Sequence, residues 1–167
     1  QESPALATAK RLQHAADLFT RELFNGQLPR TMLRLQNKKG CNGFYSPNKF
    51  IDADGRQLDC ITLNSTTAID RPLIELLSTL VHEQCHQYVC AIVNRKAATG
   101  GHGPEWRAEM QRLGLPPIRV GATWRGPATH SIDPAGLFAR CFRTYAAELE
   151  AMPWQEPARD AVRGRAG

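Results

Sequence analysis

Two histidines four residues apart, with a glutamate directly after the first, stand out in the segment His82-Glu83-Gln84-Cys85-His86. On an α-helix, residues at i and i+4 share one face, about 40° apart around the axis. Two imidazoles so placed can reach one cation at about 2.0–2.1 Å. The carboxylate between them flanks such an ion without ligating it. That is where a general base sits for a water whose pKa the ion lowers towards about 7. The spacing therefore predicts metal-assisted hydrolysis, with His82 and His86 as ligands and Glu83 as base. The context strengthens the reading, because these polar groups interrupt an otherwise apolar run from Leu73 to Val93. Burying them without partners would cost several kcal/mol, and a bound cation removes that objection.

A catalytic zinc takes three protein ligands and keeps one position open. A metzincin continuation would need Gly at 89 and His at 92, where this chain has Val89 and Ile92. His102 is the leading third ligand, in Gly100-Gly101-His102-Gly103-Pro104, where glycines permit close approach of a loop. Glu105 and Glu109 are its rivals on the following helix. Three nitrogen ligands on a helix and a loop favour Zn2+ over other divalent ions.

These residues need elements to hold them. Residues 4–24 are amphipathic, with Leu12, Ala15, Ala16, Phe19 and Leu23 at helical spacing, and Asn25-Gly26 stops them. Strands are expected at 31–37, at 42–46 with 49–52 (broken at Ser46-Pro47-Asn48), and at 58–63 after the Asp54-Gly55 turn. Asp70 is placed as the N-cap of a long central helix reaching about Asn94, with Pro72 in its first turn. A Gly-rich loop over 95–102 leads to a short helix from Pro104 to Gly114. Its Trp106, Met110 and Leu113 are spaced for the core, with Trp106 expected to wedge His102 against the sheet. Short strands at 118–124 and 128–132 and a helix over 135–149 follow.

Four segments taken together, LFNGQLP (23–29), ITLN (61–64), STLVHEQCHQYV (78–89) and HGPEWRAEMQRLG (102–114), resemble the SprT-like metallopeptidases. The resemblance runs over about residues 5–115, and its most specific part is H-E-x-x-H followed by H-G-x-x-W. It implies an α+β, zincin-like fold: a small antiparallel or mixed sheet beside the helix carrying the motif. It implies one Zn2+ on His82, His86 and His102, with Glu83 as the catalytic base of an endopeptidase. It places Ile61–Asn64 near the cleft, with an exposed sheet edge to align an extended peptide. It also suggests a substrate class, proteins bound or crosslinked to DNA. Many relatives carry a C-terminal zinc ribbon of two cysteine pairs, whereas only Cys141 follows residue 90 here, so the ribbon's DNA-binding role does not carry over. The alternative reading is a catalytically idle, zinc-containing nucleic-acid-binding module.

Length and composition bound the rest. A chain of 167 residues fits a single domain over 1–150, with 116–150 as its divergent part and 151–167 as a flexible tail. The net charge of +5 admits a polyanionic partner such as DNA, with Lys38, Lys39, Lys49, Arg95 and Lys96 as candidate contacts or plain solvated charge. Five irregularly spaced cysteines make no disulfide framework and point to a reducing, cytoplasmic setting. No stretch reaches the roughly 20 apolar residues of a membrane span. His130 is a candidate substrate or oxyanion group, with a hydrogen-bonded strand histidine as the plainer reading. Tyr45, Tyr88 and Arg107 are candidate oxyanion donors among which sequence does not choose.

Overall fold

The computed structural model describes residues 3–68, 71–93 and 101–151. Ser3 opens the first helix by accepting a hydrogen bond from the Leu6 amide on its side-chain oxygen. This helix, α1, spans Pro4–Leu23. It buries Leu12, Ala15, Ala16, Phe19 and Leu23, the face its periodicity marks. Asn25 and Gly26 both take positive φ, and the Gly26 amide returns to the Thr20 carbonyl to close the end.

Three strands follow: β1 (Thr31–Gln36), β2 (Gly43–Ile51) and β3 (Gln57–Asn64). They lie in the order β1-β3-β2, with β1 parallel and β2 antiparallel to β3, so the fold is α+β with a small mixed sheet. The expected break at Ser46-Pro47-Asn48 is instead a bulge within one strand. Pairing runs from Ser46–Cys60 to Phe50–Leu58, leaving two extra residues on β2, with Asn48 at positive φ. The bulge is tied down by the Asn48 amide, which donates to Asp59. β3 is the middle strand and is buried from Leu58 to Asn64. The exposed edge expected beside Ile61–Asn64 is therefore not on that segment, because both sides of β3 are already paired. Among the described residues the edge strands of this sheet are β1 and β2.

A short turn of helix, α2 (Ser65–Ala68), precedes the central helix α3 (Leu73–Tyr88). The N-cap of α3 is Pro72 and makes no side-chain cap bond; Asp70 lies outside the described residues. The helix does not run unbroken to Asn94, since Val89–Val93 loosens into a π-helical turn. There the Val89 amide is shared between the carbonyls of Cys85 and His86. Leu76, Leu77, Leu80, Val81 and Cys85 bury α3 in the core. Polar cross-links fix its rotation. Gln84 donates to the Ala16 carbonyl and the Thr20 hydroxyl of α1, and Gln87 donates to Asp59, to Thr31 and to the Pro29 carbonyl.

Helix α4 (Pro104–Arg112) ends at Gly114, whose φ is +73°. A Cβ there would lie 2.5 Å from the Gly136 Cα, so two glycines permit this backbone crossing. A hairpin of β4 (Pro117–Arg119) and β5 (Ala128–His130) lies between them, shorter than the sequence suggests. The expected last helix is two, α5 (Leu137–Thr144) and α6 (Ala146–Glu150), divided at Tyr145, whose φ of −106° and ψ of 16° are not helical. Phe138, Phe142 and Leu149 enter the same core as α1, with Phe138 and Phe19 ring centroids 5.7 Å apart. No helix among the described residues is long and apolar enough to cross a membrane.

Candidate metal centre

α3 carries His82 and Glu83 inward and His86 to the rim, so that the first two are buried and the third half-buried. The third imidazole arrives from the loop before α4. Gly101 has a φ of +78°, and a Cβ on it would lie 2.7 Å from the Arg125 Cα, so only glycine lets this loop meet residues 124–126. That contact holds His102. Its amide donates to the Trp124 carbonyl at 2.7 Å, and its Nδ1 lies 3.0 Å from the Gly126 carbonyl. A carbonyl only accepts, so Nδ1 of His102 carries the proton and Nε2 keeps its lone pair.

One ligand atom each from His82, His86 and His102 lies within 4.8 Å of the others. Small side-chain adjustments bring nitrogens this close to a shared ion at about 2.0–2.1 Å, and imidazole nitrogens suit such an ion, so the donor set is compatible with a single cation. Trp106 braces all three rings. Its centroid lies 4.5 Å from that of His102, 4.7 Å from His82 and 5.1 Å from His86, on which it stacks. Its indole N–H donates to the His82 carbonyl at 3.3 Å. The tryptophan thus holds the cluster itself, rather than wedging one histidine against the sheet.

Burial also sets the protonation states. His82 is held well below the ordinary imidazole pKa by burial first and by its histidine neighbours second. His86 is pushed down to about 3, by burial and then by His102. Burial lowers His102 too, against the opposing pull of its two carbonyl contacts. All three stay neutral near pH 7, the form that ligates metal. Glu83 is pushed up to about 8 by burial alone. Its Oε1 lies 3.9 Å from His82 Nε2. Strand β2 reaches it through Gly43, where a Cβ would lie 3.5 Å from Glu83 Cγ and 2.9 Å from the Thr62 carbonyl oxygen.

The remaining candidates divide. His130 sits on β5 with its ring centroid 5.3 Å from that of His82. Its pKa is lowered to about 4, by burial and then by the charge of Arg71. Glu105 is exposed and Glu109 pairs with Arg112, so neither joins the cluster. The Tyr45 hydroxyl is committed to Asp59 at 2.9 Å, and burial raises its pKa. Tyr88 packs on Phe24, with centroids 5.9 Å apart. Arg107 lies over the Trp124 ring at 4.7 Å, one turn beyond His102. Lys38, Lys39 and Lys49 are exposed, while Arg95 and Lys96 lie outside the described residues. The five cysteines are free, and Cys85 is buried. The carbonyls of Trp124 and Gly126 and the hydroxyl of Ser78 were missed from sequence; only Gly101 and Gly126-Pro127 hinted that two loops meet. A cavity of about 500 Å³ lined by Gln13, Asp17, Arg30, Met32 and Gln84 touches none of the histidines.

Fold and site together define an α+β protein with a three-histidine cluster able to hold a metal ion. The SprT-like family profile matches residues 12–123 of the 167, and the chain belongs to that metallopeptidase-like family. No curated protein matches the chain.

Proposed function

We propose that this protein is a zinc-dependent endopeptidase of zincin-like fold, with His82, His86 and His102 holding one zinc ion and Glu83 acting as general base. The observation that carries the reading is a buried carboxyl with no cationic side chain shifting it among the described residues, beside three neutral imidazoles whose ligand atoms lie within 4.8 Å of one another. Zinc bound there would supply Lewis acidity, polarising a peptide carbonyl and acidifying a water. Glu83 would take the proton from that water and hold it on its carboxyl. It would then deliver the proton to the departing amide nitrogen. Burial raises the pKa of this carboxyl in the metal-free chain, and a cation beside it would draw it back towards the ionised form that accepts a proton.

Strand β2 suits the alignment of substrate. It is a sheet edge, and Gly43 brings its backbone against Glu83. An extended peptide adding along β2 would run past the base, with backbone hydrogen bonds supplying register. The basic charge supports proteins bound to DNA as a substrate class, in a cytoplasmic or DNA-associated setting.

The test pairs wild type with Glu83→Gln on a basic DNA-binding protein, with and without single-stranded DNA. Zinc content is measured in both. Wild type is expected to cleave. The variant should lose about 10²- to 10⁴-fold in rate, the span of general base catalysis, while keeping its zinc. Zinc bound at one ion per chain with no cleavage under any condition would instead favour an idle binding module.

A further inference from the structure

We infer that His130 is a positioning residue for the metal centre, and that a chain of hydrogen bonds beginning at the Glu75 carbonyl dictates which nitrogen of His82 is free to bind metal. The inference rests on the metal-centre reading above and extends it to residues outside the cluster. Four groups stand in line. The Ser78 hydroxyl oxygen is 2.7 Å from the Glu75 carbonyl oxygen. The same hydroxyl is 2.8 Å from His130 Nε2. His130 Nδ1 is 3.1 Å from His82 Nδ1.

Donor counting orients every link. A carbonyl only accepts, so the single Ser78 proton points at Glu75; without it, two acceptor oxygens 2.7 Å apart would repel. Ser78 then has only lone pairs for His130, so His130 Nε2 carries the proton and donates it. A neutral imidazole has one N–H, so His130 Nδ1 is an acceptor. His82 Nδ1 must donate to it, and His82 Nε2 is left with its lone pair. That nitrogen is the one 3.9 Å from Glu83. The opposite tautomer of His82 would break the line at one of its three contacts.

The line has a mechanical consequence as well. Glu75 and Ser78 lie about two turns and one turn before His82 on α3 itself, whereas His130 comes from β5, 48 residues beyond His82. The hairpin thus holds the His82 ring at its Nδ1. A ligating imidazole whose second nitrogen is held in this way is more basic and fixed in orientation. Losing such a partner typically costs 10- to 100-fold in metal affinity.

Two measurements test this on the whole chain. Histidine side-chain ¹H–¹⁵N correlation spectra of the metal-free protein near pH 7 should show His82 protonated at Nδ1 and His130 at Nε2. His82 protonated at Nε2 would overturn the inference without any variant. Zinc dissociation constants from chelator competition are then compared for wild type, His130→Ala and His130→Asn, alongside thermal unfolding of each metal-free chain. The alanine variant should bind about 10- to 100-fold more weakly. Asparagine places an amide oxygen where Nδ1 stood and should restore most of that loss. Equal affinity of His130→Ala and wild type, or equal weakness of both variants, would overturn the role. A wild-type chain that takes up no zinc would overturn the metal centre too, whereas tight wild-type binding with an indifferent His130→Ala sinks the positioning role alone.

Discussion

Burial of the Glu83 carboxyl ties the stability of the fold to pH. Its folded pKa of about 8 exceeds the ordinary 4.5 because burial penalises the charge. In the metal-free protein the folded state therefore keeps its proton over a range in which the unfolded chain has released it. The contribution to stability is full below about pH 4.5 and is lost as pH rises towards 8. Glutamine has no such proton. Metal-free Glu83→Gln should thus match wild type near pH 4.5 and exceed it by a few kcal/mol at pH 8, at about 1.4 kcal/mol per unit. The buried histidines act in the opposite sense, losing stability below about 6.5, but they are common to both proteins and cancel in the difference. Urea titrations at several pH values check this; a difference that does not grow with pH would mean Glu83 is not a desolvated carboxyl.

At the scale of elements, Asp59 does for the sheet what Trp106 does for the three-histidine cluster. Its carboxylate accepts from the Tyr45 hydroxyl and the Asn48 amide on β2 and from the Gln87 amide on α3. One buried group thereby sets the position of the bulged edge strand relative to the helix that carries the histidines. Asp59→Ala would remove the partner shared by the half-buried Tyr45 and the exposed Asn48, while Gln87 keeps Thr31 and the Pro29 carbonyl. Losing these bonds from the buried Asp59 is expected to cost about 1–3 kcal/mol in chemical denaturation. A loss under about 0.5 kcal/mol, the range of ordinary surface substitutions, would show that the bulge is held by other means.

For the whole molecule, the family match ends at residue 123, yet the core does not. Phe138, Phe142 and Leu149 pack into it from beyond that point, and the Tyr145 hydroxyl reaches back to Glu22 on α1. Truncating one buried aromatic to alanine costs about 3–5 kcal/mol, against a typical total stability of about 5–15 kcal/mol. A chain ended at residue 123 should therefore show no cooperative thermal transition by circular dichroism. A sharp transition within a few degrees of the full chain would show that the first 123 residues fold alone.

Sequence spacing by itself marked the motif on its helix, the inward face of α1, the Gly-bounded loop that delivers His102 and the three strands. It could do so because each is local: helical period, alternation and turn chemistry act within a few residues. The same locality misled at β2, where Pro47 and Asn48 read as a break but a carboxylate from β3 absorbs them as a bulge. Only tertiary structure decided that β3 is central and β2 the free edge beside Glu83, since strand order depends on pairing between distant segments. It alone brought Trp124, Gly126 and His130 to the imidazoles, through hydrogen bonds spanning 22, 24 and 48 residues: the first two end on backbone carbonyls that leave no trace in residue type, and the third joins two histidine rings.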